Sequence, residues 1–405
     1  MALTGPRPAT LTAPAPRGTC PFDPPPAYER ARAEHPVTRA DLWDGSSCWL
    51  LTGHQDVRTV LRDPRFSADA THPGFPFLNA GRKVLTSRHP SFIRMDDPEH
   101  ARLRRMLTAD FMVKRIEALR PEIQRLTDDL LDRMTEGRQE ADLVAGFALP
   151  LPSIVICSML GVPYEDHAFF QERSRIMLDQ ASAPERIEQA QDELLRYLAR
   201  LADTKATAPD DSILGRLAAS GELDRDETAA MARLLLVAGH ETTANMTALS
   251  VLALLRNPDQ LARLRAAVLA GDDPAVRGAV EELLRYLSIV QSGVARVATE
   301  DVTVGDTRIR AGEGVLCMLN AANRDEDAFP GGGALDVARD ARRHVAFGFG
   351  VHQCLGQPLA RVELQVALAT VLRRLPELRL AVPFEEIAFR TDMIVYGVHA
   401  LPVTW

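Results

Sequence analysis

One cysteine sits among residues that could make it chemically active. In Phe347-Gly348-Phe349-Gly350-Val351-His352-Gln353-Cys354-Leu355-Gly356-Gln357-Pro358, two glycines precede Cys354, one follows it, and Pro358 opens a strongly helical stretch. Proline favours the first helical turn, so Cys354 belongs in a tight loop just before a helix N-terminus. Backbone N–H groups and the helix dipole there favour negative charge, and both lower a thiol's pKa from its usual ~8.5. The plain alternative is an inert cysteine at a turn. The glycine spacing, however, suits a loop that lies close under something flat and wide. Cys20, Cys48, Cys157 and Cys317 have no such setting and read as small core hydrophobes.

A second constellation is Gly239-His240-Glu241-Thr242-Thr243, in the middle of a long apolar helix. Asp224 with Glu227 three residues later has the form of a capping box, and Asn257-Pro258 marks the stop. Residues 225–256 would span about 48 Å. Apolar residues cover nearly every face, the mark of a helix buried through the centre of a large domain. Glycine and threonine weaken such a helix, and threonine hydroxyls can capture a backbone carbonyl and bend it. The motif is either a tolerated kink with Glu241 paired to an arginine, or a notch that holds a small ligand beside an acid and an alcohol placed for proton transfer.

The rest of the chain must position these groups. Helical patterns cover about 97–112, 117–136, 185–204, 225–256, 274–287 and 357–375, with a strand at Cys48–Thr52, a hairpin over 302–310 and an irregular stretch from Asn323 to Arg343. There is no low-complexity linker and no internal repeat. Residues 1–21, rich in proline, read as a flexible arm, and 22–405 as a single mainly α domain with small β-sheets. Apolar residues make up 46% of the 405 and charged residues 25%, as in a packed globular protein. A net charge of −8 argues against nucleic acid as the main partner. Only Lys83, Lys114 and Lys205 are lysines, which reads as a GC-rich arginine bias. No apolar run approaches the ~20 residues that cross a bilayer, and no signal peptide is visible. Five scattered cysteines without a CxxC pair point to the cytoplasm rather than to disulfides or zinc.

Taken together these motifs resemble the cytochrome P-450 superfamily of haem-thiolate monooxygenases, in its soluble bacterial ferredoxin-dependent branch. FGFGVHQCLG is similar to that family's cysteine loop, AGHETT at 238–243 to its oxygen-activation motif, and Glu282-Leu283-Leu284-Arg285 to its ExxR, with Arg339 at the third place of that ion cluster. The likeness runs in order over about residues 22 to 405. It implies the P-450 fold, with the long central helix over a haem b, and Cys354 as the axial thiolate of the iron, within a loop that includes Phe347, Gly348 and Gly356. It implies that His100, Arg104, Arg296 and His352 hold the haem propionates. Ala238 and Gly239 would leave room for dioxygen, Thr242 would hydrogen-bond it, and Glu241 would relay protons. Glu282, Arg285 and Arg339 would fix the loop before the cysteine, although Pro330-Gly331-Gly332-Gly333-Ala334-Leu335 is more glycine-rich than the family's usual turn there.

The activity so implied is insertion of one oxygen atom of O2 into a small molecule, by hydroxylation or epoxidation. A separate ferredoxin and ferredoxin reductase would supply electrons, with Arg102, Arg105 and Arg361 as docking candidates, on a monomer. A nitric oxide reductase of the same fold and a non-catalytic haem-fold recruitment module are the alternatives; Glu241 argues against the first, and Cys354, Glu241 and Thr242 together against the second. The segment Ser67 to Arg94 reads as a lid without helical periodicity. With the helix pair near 165–204 and the turns at 289–294 and 393–396 it would enclose the substrate. Gln291 and Ser292 are the polar handles in an otherwise apolar lining, so the expected substrate is bulky and mostly apolar, a secondary metabolite such as a polyketide, macrolide or terpenoid.

Overall fold

The computed structural model describes residues 11–87 and 91–405. Helices carry the fold: α1 (Pro26–Glu34), α2 (His54–Arg62), α3 (Ala80–Ser87), α4 (Glu99–Thr108), α5 (Val113–Thr135), α6 (Pro150–Leu160), α7 (His167–Leu178), α8 (Pro184–Thr207), α9 (Ile213–Ser220), α10 (Arg225–Leu255), α11 (Pro258–Ala270), α12 (Asp273–Leu287), α13 (Leu319–Ala322) and α14 (Gln357–Arg374). The strands are short: β1 (Leu11–Thr12), β2 (Val37–Asp41), β3 (Ser47–Leu51), β4 (Phe66–Ser67), β5 (Glu140–Asp142), β6 (Val294–Ala298), β7 (Val302–Val304), β8 (Thr307–Ile309), β9 (Gly314–Cys317), β10 (Arg379–Leu380) and β11 (Pro402–Thr404). The main sheet has the order β1-β2-β3-β9-β6-β4, and β7 with β8 forms the expected hairpin.

The central helix α10 starts where its capping box requires. The Asp224 carboxylate accepts from the Glu227 N–H at 2.8 Å, and Glu227 Oε2 accepts from the Asp224 N–H at 2.9 Å. From there to Leu255 the helix is unbroken, and the polar side chains of its middle turn back on its own carbonyls. Thr242 Oγ1 donates to Ala238 O at 2.6 Å, Asn245 Nδ2 to Glu241 O at 2.7 Å, and Thr247 Oγ1 to Thr243 O at 2.9 Å. Its apolar faces bury against α6, α8 and α14 in one large helical core. Two smaller apolar clusters flank the main sheet.

Two expectations need correction. Residues 11–21 are not a free arm: β1 pairs in parallel with β2, Ala13 and Ala15 are buried, and the Ala15 N–H donates to Tyr28 Oη at 2.9 Å. Residues 1–10 lie outside the described ones. The lid segment contains a helix, α3, whose start is capped by Asn79 Oδ1 accepting from the Arg82 N–H at 2.8 Å. A Cβ on Gly81 would lie 2.5 Å from Ile187 Cδ1, so α3 rests directly on α8. A Cβ on Gly74 would fall 1.7 Å from Gly312 O, so the preceding turn is pressed onto the main sheet. Two glycines thus let a segment with little periodicity pack closely.

Candidate active site

Cys354 is held by the loop's backbone. Its N–H donates to Phe347 O at 2.9 Å, and the Gln353 N–H closes a turn onto Gly350 O at 3.0 Å. Gly348 and Gly350 have φ of +70° and +74°, which L side chains avoid. A Cβ on Gly350 would lie 2.3 Å from Leu61 O, so the loop is wedged against the end of α2. Around Gly348 and Gly356 a Cβ would meet nothing within 4 Å, leaving the inner side of the loop open. The sulfur faces an internal cavity of about 390 Å³. Burial pushes the thiol up from its ordinary value; the Gly356 and Gln357 N–H groups and the Arg104 and Arg361 charges only partly oppose this. Desolvation therefore outweighs the helix N-terminus, contrary to the lowered pKa expected. A thiolate here calls for a bound cation, since metal coordination deprotonates a thiol outright.

The cavity wall is rich in cations. Arg104 and Arg296 line it, as do Arg82 and Arg94, which sequence reasoning missed. Burial lowers Arg94 to about 9 and Arg82 to about 10. No acidic side chain pairs with any of these four among the described residues. Arg104 Nη2 donates to Gln353 O at 2.7 Å and Arg296 Nη1 to Ala295 O at 2.8 Å. Strand alternation explains Arg296: Val294 and Arg296 share one face of β6 and both reach the cavity, while Ser292 reaches it from the bend before the strand. His100 and His352 lie ring to ring, with centroids 4.1 Å apart. His100 Nδ1 meets Asp97 Oδ1 at 2.9 Å, while His100 Nε2 and His352 Nδ1 are buried without partners. Burial, then the charges of Arg296, His100, Arg104 and Arg94, drives His352 down to about 3. His352 lines the cavity and His100 lies behind it, off the lining; the uncompensated cations of the wall call for anions. A flat macrocycle with two carboxylates and a metal ion over Cys354 fits this donor set.

Across the cavity lie Ala238 and Thr242 of α10. Gly239 also borders it, but its bare Cα serves a different purpose from the one expected. A Cβ there would lie 2.7 Å from Ile156 Cγ1, so the glycine admits α6 rather than a ligand. Glu241 does not line the cavity. It is buried, with Oε2 accepting from Arg390 Nη1 at 3.1 Å and from Asn245 Nδ2 at 3.3 Å. The arginine partner expected of a plain kink is therefore present, and the acid lies beside Thr242 in sequence but points away from the cavity. Gln291 is also off the lining, because Arg17 takes its amide oxygen, whereas Ser292 faces inward.

Behind the cysteine loop the ion cluster is complete. Arg285 Nε and Nη2 fork onto Glu282 at 2.7 and 2.8 Å, and Arg339 Nε reaches the same carboxylate at 3.3 Å. The glycine-rich turn is part of it: Arg285 Nη1 donates to Gly332 O at 2.8 Å, and a Cβ on Gly332 would lie 2.7 Å from Phe329 O. Nearby Glu281 is held at about 2, where hydrogen bonds from His344 and Arg361 overcome the cost of its burial. Arg361 is thereby committed to Glu281, and Arg102 to Glu99 and Glu227 at 2.6 and 2.9 Å. Of the three arginines expected at a docking face, Arg105 alone is exposed and outside such pairs among the described residues.

A mostly helical fold with a cysteine loop under a long central helix, and a cation-rimmed cavity between them, defines a haem-thiolate enzyme. The chain belongs to the cytochrome P450 family: the family model matches residues 183–378, and Cytochrome P450-SU2 of Streptomyces griseolus is 70% identical over 400 residues, 98% of each chain. The crystal structure of GfsF superposes with a TM-score of 0.91 at 49% identity, over 98% of this chain and 100% of that one. The methyl hydroxylase MycCI of Micromonospora griseorubida, bound to mycinamicin VIII, superposes with 0.90 at 40% identity, over 98% and 100%. The protein is accordingly a haem b monooxygenase, and these comparisons lend nothing to a nitric oxide reductase or a non-catalytic module. Among the described residues no helix is long and apolar enough to cross a membrane.

Proposed function

We propose that this chain oxidises a bulky, mostly apolar secondary metabolite of the macrolide, polyketide or terpenoid kind, by RH + O2 + 2 e⁻ + 2 H⁺ → ROH + H2O or the matching epoxidation. The observation that carries the reading is one cavity that joins Cys354, Thr242, four cations and an apolar wall with Ser292 as its inward polar group. MycCI, of the same fold, is a methyl hydroxylase bound to mycinamicin VIII.

Haem b would supply the oxygen-activating chemistry. In this proposal Cys354 Sγ holds its iron from the loop side. Arg82, Arg94, Arg104 and Arg296, with His100 Nε2 and His352, hold its carboxylates. The Thr242 hydroxyl, now on Ala238 O, turns into the cavity to hold a proton where dioxygen is reduced. Glu241 leaves Arg390 and Asn245 to bring protons to that hydroxyl. Ala238 keeps the cavity clear above, and Ser292 orients the substrate. The apolar wall excludes water and makes each of these contacts stronger.

Electrons come from a ferredoxin and its reductase. Arg105 and Arg62, beside the wedge of Gly350, and the exposed Val351 offer a cationic rim with an apolar centre near Cys354.

The test is a panel of macrolides, terpenoids and small polar compounds. It is scored first by the low-to-high-spin shift, then by turnover with ferredoxin, its reductase and a reduced nicotinamide. A large apolar compound should shift the spin state and gain one oxygen atom. A response confined to small polar compounds would refute the substrate class.

A further inference from the structure

We infer that Arg17, on the segment 17–23, clamps the distal wall of the cavity from behind and so sets which bulky molecules it accepts; this rests on the monooxygenase reading above. The wall consists of two stretches, 289–294 and 393–396, of which Ile289, Val290, Ser292 and Ile394 face the cavity. They are knitted together by a bridge between Val290 and Val395 and by the Tyr396 N–H donating to Ile289 O at 2.9 Å. Gln291 and Tyr396 point away from the cavity, and one guanidinium holds both. Arg17 Nη1 donates to Gln291 Oε1, and its plane lies 3.9 Å from the centre of the Tyr396 ring. Its other nitrogen, Nη2, donates to Pro21 O at 2.6 Å and Asp23 O at 3.1 Å.

The base of this clamp is firm. Phe22 packs against Tyr286, Phe384 and Phe389, and its carbonyl accepts from Arg324 Nη2 at 2.9 Å. Arg324 also faces Asp23 at 3.5 Å. The wall's own start is strained by contrast. Ser288, just before Ile289, has φ of +41°, the one positive value at a non-glycine residue among those described. Asn323 Nδ2 holds it there by donating to Ser288 Oγ at 2.7 Å. A wall that leaves helix α12 through a strained residue depends on what grips its far side. A planar fork that bonds, stacks and bridges at once can do this, and an ammonium cannot.

Arg17 is thus a positioning residue, one that touches neither haem nor substrate. Ligand pairs of different reach separate its effect from damage to the haem site. Imidazole ligates the iron but is too small to test the wall, whereas 1-tritylimidazole carries three phenyl rings that the wall must accommodate. Both are titrated into the ferric holoenzyme and read by the Soret shift. In Arg17→Ala the dissociation constant for imidazole should stay within about twofold, while that for 1-tritylimidazole should change by about tenfold. Arg17→Lys should behave like Arg17→Ala. Gln291→Ala, which approaches the same contact from the wall, should reproduce the selective change, and the double variant should add little to either single one.

An unchanged ratio of the two affinities in both single variants would overturn the inference. So would an equal fall for both ligands, which would place the damage at the haem, or full additivity of the two substitutions. A wild-type protein in which imidazole gave no Soret shift would overturn the haem reading as well.

Discussion

Glu363, on α14 behind Thr243, offers a sharp thermodynamic test of the packing around the active-site helices. Its side chain is 1% exposed. Burial pushes the carboxyl from its ordinary 4.5 up to about 8, with the Thr243 hydroxyl only partly opposing this. Below pH 4.5 folded and unfolded chains both carry the proton, and the group is neutral to stability. Between 4.5 and 8 the unfolded chain releases its proton while the folded one keeps it, so stability falls by about 1.4 kcal/mol per pH unit. The loss reaches about 3 kcal/mol at pH 7 and is complete, at about 5 kcal/mol, above pH 8. Glu363→Gln keeps the shape of the protonated acid and cannot ionise. With about 2.1 cal/mol/K per residue of unfolding entropy over 405 residues, about 3 kcal/mol raises Tm by about 3–4 °C. Thermal unfolding of both holoenzymes at pH 5, 7 and 9 should show curves that nearly coincide at pH 5 and separate as pH rises, the variant being the more stable. A Tm difference that did not grow with pH, or a variant less stable at pH 9, would refute the reasoning.

Other perturbations read the remaining parts of the site. Gly239→Ala places a Cβ 2.7 Å from Ile156 Cγ1; overpacking of about 1–3 kcal/mol outweighs the ~1 kcal/mol gain in helix propensity, so Tm should fall, and adding Ile156→Ala should cost less than in wild type. Glu282→Gln strips the charge that Arg285 and Arg339 share in the core, which should cost about 3–5 kcal/mol and appear as haem loss at lower urea. Thr242→Ala should retain substrate binding but send reducing equivalents to hydrogen peroxide, measured as peroxide formed per nicotinamide oxidised. Arg390→Ala leaves Glu241 buried without its cation, which should slow turnover while the substrate spin shift persists; equal loss of both would assign Arg390 to the fold instead.

What could be read from sequence was local, and what escaped was brought together by folding. The capping box at Asp224 and Glu227, the i,i+3 fork of Glu282 and Arg285, and the glycines around Cys354 lie within a few residues of their partners. The approach of Arg390 to Glu241 spans 149 positions, and no spacing announces it. Gly239 was legible as a weak point in a buried helix, but its cause is Ile156 on another helix. In the glycine-rich turn at 331–333, Gly331 has φ of +66° and a Cβ on Gly332 would meet Phe329 O, so glycine lets the turn bring its carbonyls to Arg285 and Arg324. Arg82 and Arg94 stand out only as charges in a largely apolar lid. Strand alternation accounts for Val294 and Arg296, but Gln291 and Ser292 lie in the bend before β6, where no period separates the outward amide from the inward hydroxyl.

The central claim is that Cys354 binds haem iron as a thiolate in this cation-rimmed cavity. The absorption spectrum of the reduced, carbon monoxide-bound protein measures it most directly, in wild type and in Cys354→Ser. Wild type should show the red-shifted Soret band of thiolate ligation, and Cys354→Ser should lose it while keeping its fold by circular dichroism. A wild-type band at the position of histidine ligation, or a red-shifted band that survives Cys354→Ser, would contradict the account.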